Sequence, residues 1–366
     1  MAGQVHAQVI QGMVHPVQIS DPVVHVDNQA RRRSGHMSHA LAEVKPGRLL
    51  DFQSNCSRLR LDGHSAFGWV EYRFSDDGGE TYGETHVLPY SMETLLEGIN
   101  SISLEKAVVC GDGTVVAFCL RNDQSVEVCC EPYETPMVIR SRDGGLTWSE
   151  PEELCGFRGR VYDALYRDGS IYVLEFCNEA VEHFTGTKPE HQYRLFKSDD
   201  AGQHFYEQSV VGFPSAVGYG YGSMIFTPEG KLIVYAYDLN QEDQMPYAVS
   251  EDLGKTWCQV GSTRVAKKIR NPQVGLLDGQ FLLHGRGSMH DFVFYTSADG
   301  IVWDEGVYLN ANRGTPRDWD PCYYSNNIVL DHPAKPGKKR MLIQYSEVYE
   351  RNCVNVMHLW VETVDN

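Results

Sequence analysis

The stretch Ser141-Arg142-Asp143-Gly144-Gly145-Leu146-Thr147-Trp148 decides the reading of this chain, because it returns along the sequence. Ser75-Asp76-Asp77-Gly78-Gly79-Glu80-Thr81-Tyr82 and Ser250-Glu251-Asp252-Leu253-Gly254-Lys255-Thr256-Trp257 repeat it in full. Ser198-Asp199-Asp200-Ala201-Gly202-Gln203-His204-Phe205 keeps the frame with Phe for Trp, and Ser297-Ala298-Asp299-Gly300-Ile301-Val302-Trp303 is one residue shorter. The chemistry is that of a hairpin turn. An Asp side chain accepts from nearby backbone N–H groups, Gly supplies positive φ, and the aromatic ring packs beneath. These segments read as structural, not catalytic.

A second period runs in phase with the first. Apolar runs flank a turn glycine at Gly47, Gly113, Gly169, Gly230, Gly279 and Gly337, and each of the first five pairs is followed by a Ser-x-Asp turn. Each unit reads as strand, tight turn, strand, then a further hairpin. Four strands in roughly 50 to 65 residues, six times over, predicts an all-β fold, a six-bladed β-propeller. The prediction is one domain over 1–366, with the apolar stretch 17–26 supplying an outer strand to the last blade.

Composition narrows the class. The chain has 366 residues, 42% hydrophobic and 22% charged, which are ordinary globular values. No stretch approaches the roughly 18 apolar residues of a membrane span, and the first residues lack a signal-peptide profile, so a cytoplasmic location is expected. A formal charge of −17 opposes binding to phosphate backbones and anionic membranes, so neither nucleic acid nor membrane is an expected partner. The ten cysteines are scattered, many in strand-like runs such as Cys110, Cys119 and Cys177, and read as reduced core thiols. The vicinal pair Cys129-Cys130 lacks partners at zinc spacing. No phosphate loop, serine elbow or metal motif occurs, so neither cofactor nor metal is expected.

The turns resemble the Asp-box, or BNR, repeats of the sialidase (neuraminidase) superfamily, and the resemblance spans essentially the whole chain. It implies six blades, an arginine triad for a substrate carboxylate, an Asp acid/base on a first-blade loop, and a Tyr nucleophile activated by Glu. Tyr323-Tyr324-Ser325 followed by Leu330 is similar to the family's nucleophile strand and places Tyr324 there. Asp62, in Leu59-Arg60-Leu61-Asp62-Gly63-His64, falls where the family carries its acid. Three positions depart: a second expected arginine falls near His290, with Arg286 four residues earlier. Met37 stands near the expected first arginine, with Arg31, Arg32 and Arg33 just upstream, and Tyr221 stands at the expected Glu. Glu175 is therefore taken as the substitute base, with Glu105 as its alternate and Glu347 or Glu350 as helpers from the last blade.

In a propeller the starts of the inner strands and the ends of the second strands meet at one end. By that geometry His39, His64, Arg121, Tyr162, Asp163, Tyr221, Arg270, Arg286 and His290 are the expected substrate-binding residues. Such a Tyr, His, Arg and carboxylate collection suits a hydroxylated ligand. The expected function is a sialidase-like exo-acting glycoside hydrolase that removes a terminal sugar, acidic in one version, from oligosaccharides or glycoconjugates. A uronate-type lyase using Tyr and His, and a non-catalytic glycan-binding propeller, are the alternatives.

Overall fold

The computed structural model describes residues 5–35, 39–58, 67–125, 132–287, 291–311, 322–350 and 353–364. The chain divides into two compact units, residues 38–220 and residues 1–37 with 221–366. The first unit holds three antiparallel four-stranded sheets. In order from the inner strand outward these are His39–Lys45, Arg48–Cys56, Gly68–Ser75 and His86–Val87; Asn100–Val109, Val115–Asp123, Met137–Ser141 and Glu152–Glu153; and Arg160–Arg167, Ser170–Cys177, Gln192–Ser198 and Tyr206–Val210. The second unit holds Tyr219–Phe226, Leu232–Asp238, Gln244–Ser250 and Gln259–Arg264, then Arg270–Leu277, Gln280–Arg286, Phe292–Ser297 and Val307–Asn310. Its last sheet runs Ser325–Asp331, Lys339–Glu350 and Cys353–Thr363, and the N-terminal strands take the outer positions. Val17 pairs with Thr363 and Ile19 with Val361, while Val26 pairs with Val356. The fold is all-β, a six-bladed β-propeller.

Local sequence explains the hairpins. Arg167 pairs with Ser170, leaving Asp168-Gly169 as a two-residue loop with φ of 51° and 84°. Two successive positive φ values define the turn whose twist matches antiparallel strands, and Asp-Gly is a favoured pair for it.

The Ser-x-Asp turns share one hydrogen-bond plan. Ser141 Oγ donates to Asp143 at 2.7 Å and accepts from Gly145 N at 2.7 Å, while Asp143 accepts from Leu146 N, Thr147 N and the Thr147 hydroxyl. The plan recurs around Asp77 and Asp252, and around Asp200 the imidazole of His204 replaces the threonine hydroxyl at 2.6 Å. Gly145 has a further reason to lack a side chain, since a Cβ there would stand 2.8 Å from Leu50 Cδ2 of the preceding sheet. The turn aromatics cross the same gap within each unit. Trp148 meets Phe52 at 5.7 Å between ring centroids, Phe205 meets Phe118 at 5.7 Å, and Trp303 meets Tyr235 at 6.2 Å.

The second strands lie between two faces of neighbouring structure, which is why they are nearly continuous apolar runs. Every residue of Ser170–Cys177 is buried. Leu50, Phe52, Val115 and Ala117 pack between the first two sheets, and Ile233, Tyr235, Phe281 and Leu283 between the fourth and fifth. Burying a side chain of this size contributes about 1.5–3 kcal/mol. The eight described cysteines are free thiols, six of them buried, while Cys258 is exposed. Among the described residues no helix is long and apolar enough to cross a membrane.

The turn aspartates tie stability to pH. The Thr147 hydroxyl and N–H, with the Ser141 hydroxyl, hold the Asp143 carboxyl down at about 2, and Asp252 is held at about 2 by Thr256 N–H and hydroxyl and by Ser250. A carboxylate depressed in the folded state contributes stability that is present above its unfolded pKa and lost as pH falls through the folded one. The thermal midpoint is therefore expected to fall from about pH 4 towards pH 2. Asp143→Asn should lower the midpoint at neutral pH and flatten that fall; identical profiles for the two proteins would remove the turn carboxylate from the stability of the fold.

Candidate functional site

In each of the first five sheets the glycine hairpin and the Ser-x-Asp turn lie at one end, and in the sixth the glycine hairpin lies there alone. The start of the inner strand and the end of the second strand lie at the other, and there the backbone departs from regular pairing. Tyr221, Asn271 and Tyr323, at the starts of the fourth, fifth and sixth inner strands, have φ of 45°, 53° and 60°. In the first unit the register slips at Glu105, between Leu104 and Lys106, and at Tyr162, between Val161 and Asp163. A bulge turns a side chain off the strand's alternation, and a non-glycine residue at positive φ costs about 1–3 kcal/mol. Positive φ also occurs in the turns at the opposite end, at Ala201 and Leu253; what marks this end as a candidate site is the gathering of tyrosines, arginines and carboxylates around these positions.

In the second unit Tyr324 is buried, and its hydroxyl oxygen accepts from Arg286 Nη1 at 2.8 Å. The guanidinium also stands 5.2 Å from the ring centroid. Tyr324 is fixed by its backbone, since its carbonyl accepts from Ser346 N at 2.9 Å and its N–H donates to Ser346 Oγ at 3.2 Å. His284, fully buried and two residues before Arg286 on the same strand, holds the next residues of the Tyr324 strand. The Asn327 amide donates to its Nε2 at 2.9 Å, so the ring proton sits on Nδ1, 2.9 Å from Ser325 Oγ.

Tyr221 links this pair to a second cluster. Its ring centroid lies 6.2 Å from that of Tyr324 and 6.2 Å from that of Tyr237. The Tyr237 hydroxyl donates to Glu242 Oε1 at 2.9 Å, and Arg270 Nε stands 3.5 Å from the same oxygen. Burial pushes the Tyr237 phenol up, with Arg270 opposing it. Three tyrosines, two arginines and a carboxylate thus gather in one unit.

The first unit carries buried ion pairs. Arg160 Nε and Nη2 donate to Glu105 Oε2 at 3.1 and 2.9 Å, and the guanidinium lies 5.4 Å from the Tyr162 ring. Lys106 Nζ is 3.3 Å from Asp163 Oδ1. Arg121 is half-buried, and its Nε has no hydrogen-bond partner among the described residues. Glu175 is fully buried, and the Cys155 thiol donates to its Oε2 at 3.0 Å. Desolvation raises this carboxyl to about 7, against the hydrogen bonds of Cys155 and Cys177 and the charge of Arg194.

The geometry thereby sorts the expected residues. Tyr324, Arg286, Tyr221 and Arg270 come together in the second unit. Tyr162 and Asp163 lie at the bulged start of an inner strand in the first. Glu175 needs correction as a substitute base, because its side chain is sealed from solvent and engaged with a thiol, whereas a base must reach its proton donor. Glu105 is likewise engaged, by Arg160. Asp62, His64 and His290 lie outside the described residues. His39 opens its strand opposite Gln53, and its side chain lies outside them too. Sequence reasoning placed Lys106 with Glu105 at an inner-strand entrance but missed Arg160 and Glu242. Arg160 stands two residues before Tyr162, while Glu242 sits in the loop after Tyr237-Asp238, where only hydrogen bonding distinguishes it from other loop acids.

A surface hollow of about 590 Å³ lies at the opposite, turn end of the second and third sheets, lined by Arg140, Arg142, Trp148, Glu152 and His204 among others. Its Arg140 is committed to Glu152 at 2.9 Å and to the Gly202 carbonyl at 2.6 Å. None of the clustered tyrosines lines it.

No protein-family model matches the chain, and no curated protein sequence does. Solved structures do resemble it. A protein of unknown function from Dyadobacter fermentans DSM 18053 is 16% identical with a TM-score of 0.69, over 95% of this chain and 99% of that one. The Hadza microbial sialidase Hz136 is 15% identical with a TM-score of 0.67, over 94% and 69%. An alpha-L-arabinanase from Penicillium chrysogenum is 13% identical with a TM-score of 0.61, over 94% and 98%. At these identities the likeness is one of fold: the chain has the β-propeller fold found in solved sialidases and in an arabinanase.

Proposed function

We propose that the protein is a sialidase-like exo-acting glycoside hydrolase that removes a terminal sugar from an oligosaccharide or glycoconjugate. The observation that carries this reading is the hydrogen bond from Arg286 to the Tyr324 hydroxyl. A phenol is a weak nucleophile unless negative charge on its oxygen is stabilised, and a desolvated guanidinium at hydrogen-bond distance does that. The Tyr324 oxygen attacks the anomeric carbon as its phenol proton passes to Glu242, the carboxylate of the tyrosine cluster, while Asp62 protonates the departing oxygen. Water then attacks the glycosyl-tyrosine with Asp62 as base, and the anomeric configuration is retained. Glu242, bonded to Tyr237, replaces Glu175 as the carboxylate of the tyrosine cluster. Arg270, in the same unit as Tyr324, takes a substrate hydroxyl or acidic group.

The same pair favours a second reading. A tyrosine beside a guanidinium also suits proton removal next to a uronate carboxylate, with elimination of the neighbouring sugar.

Mass spectrometry of products from sialylated, uronate-containing and neutral oligosaccharides separates the two. A monosaccharide with one added water is expected, and an unsaturated sugar would establish the lyase. An activated fluorosugar should label the peptide that carries Tyr324, and Tyr324→Phe should abolish both labelling and turnover; hydrolysis by the Phe variant at the wild-type rate would overturn the nucleophile. Asp62→Asn should lower kcat roughly 10²- to 10⁴-fold. An aryl leaving group, which needs no protonation, should partly restore it, and an unchanged kcat would take the acid role from Asp62.

Glu175 gives a separate test. Its folded pKa of about 7 lies above the unfolded value, so its contribution is full below the unfolded pKa and lost as pH rises through 7. The wild-type thermal midpoint should therefore drop between about pH 5 and pH 8 relative to Glu175→Gln, and that variant should keep turnover. Lost turnover with a parallel midpoint profile would return Glu175 to the role of base.

A further inference from the structure

The hollow of about 590 Å³ at the turn end of the second and third sheets lies wholly in the first unit, and the tyrosine chemistry leaves it unused. Its volume falls within the roughly 300–1,000 Å³ of small-molecule sites. The outer strand of the second sheet pairs Glu152 with Val138 and Glu153 with Met137, and the Ser141 turn reaches it through Ser149. Ser149 N donates to the Arg140 carbonyl at 2.8 Å, and Ser149 Oγ accepts from Arg140 N at 3.1 Å. The backbone at Arg140 is fixed by that exchange.

The Arg140 side chain is fixed as well. Its Nε donates to the Gly202 carbonyl at 2.6 Å and its Nη2 to the Gln203 carbonyl at 3.4 Å, both in the turn of the third sheet, while Nη1 donates to Glu152 Oε2 at 2.9 Å. A guanidinium carries more N–H donors than these three bonds use. Glu152 is exposed, and among the described residues its Oε1 accepts no hydrogen bond. Trp148 lines the same hollow, half-buried, with its ring set by edge contacts to Phe52 at 5.7 Å and Tyr72 at 6.2 Å.

A sugar hydroxyl donates and accepts at once, so a saccharide needs a donor and an acceptor side by side and an apolar surface for its C–H face. Arg140 and Glu152 supply the first two, and the Trp148 indole supplies the third. Charge selects among sugars. Arg140 is balanced by Glu152, and His204 Nδ1 lies 2.6 Å from Asp200 Oδ2. Arg142 faces the Asp112 carboxyl, which is held below its usual range chiefly by the Thr114 N–H and additionally by the Arg142 charge. Each cation of the lining thus has a carboxylate of its own, which leaves no surplus charge for an anion.

We propose that this hollow is a second, non-catalytic saccharide site that takes a neutral sugar through Trp148, Arg140 and Glu152. It goes beyond the hydrolase reading and does not rest on it, because Tyr324 belongs to the other unit.

The test is a tryptophan-fluorescence titration of the full chain with cellobiose, lactose and maltose, and with digalacturonate as the acidic probe. At least one neutral disaccharide should give a saturable change. Glu152→Ala removes one partner of an exposed pair that contributes little to stability, so the thermal midpoint should hold. Affinity for that disaccharide should fall about tenfold, the scale of one charge-assisted hydrogen bond. Digalacturonate should bind this variant no more weakly than it binds the wild type, since a repelling carboxylate has gone. Tyr324→Phe should bind the neutral disaccharide as the wild type does, which separates this site from the reacting one. The site is overturned by no response to any neutral probe, by an affinity that Glu152→Ala leaves unchanged, or by an affinity that Tyr324→Phe abolishes. Tighter binding of digalacturonate than of every neutral probe overturns it too. Saturable binding with no product formed from any oligosaccharide counts against the hydrolase alone.

Discussion

A four-stranded sheet that is apolar on both faces cannot satisfy itself, and everything else in this molecule follows from that constraint. The second strands, such as Ser170–Cys177, are buried along their whole length, so each sheet needs a neighbour on either side. The Ser-x-Asp turn is the device that seats one sheet on the next. Its serine and aspartate satisfy backbone N–H groups that a plain loop would leave to water, and its glycine allows close approach. Its aromatic ring then reaches across, as Trp148 does to Phe52. Polar satisfaction and apolar packing are thus delivered by the same eight residues.

With one end of the first five sheets closed by these turns, the other end is free to deviate. Tyr221, Asn271 and Tyr323 take backbone conformations that their side chains disfavour, and the surrounding sheet holds them there. The result is to place Tyr221 beside Tyr237 and Tyr324, and Tyr323 flat against Phe292. Arg286 and Tyr324 show how much support this takes. The tyrosine backbone is held by Ser346, its strand by His284 through Ser325 and Asn327, and its hydroxyl by a buried guanidinium. A phenol held this way has one orientation, and orientation is the larger part of what a site can contribute before substrate arrives.

Buried carboxylates are handled in two ways within the first unit. In the first unit Glu105 and Arg160 neutralise each other, and removing either partner from such a pair typically costs about 3–5 kcal/mol. Glu175 instead holds a proton longer than an ordinary carboxyl does and accepts a thiol hydrogen bond. Two glutamates that look alike in a strand sequence therefore differ: Glu105 is bonded to a buried guanidinium, whereas desolvation raises the Glu175 carboxyl against the thiol hydrogen bonds and the charge of Arg194.

The strand count, the six hairpins and the Ser-x-Asp turns were legible in the sequence because they are local. A two-residue Asp-Gly loop or a Ser-x-Asp frame needs only its own few residues to declare its geometry. Tyr324 and Arg286 could be singled out as well, since the start of an inner strand and the end of a second strand are positions in a period. What those side chains touch was not legible. That the Tyr324 hydroxyl meets Arg286, that Tyr237 meets Glu242, and that Glu175 is sealed against Cys155 depend on residues 5 to 38 positions apart brought together by packing. Periodicity determines which strand a residue occupies and which end it marks; only the tertiary structure decides its partner, because partnership depends on register between strands and on bulges that no single strand encodes.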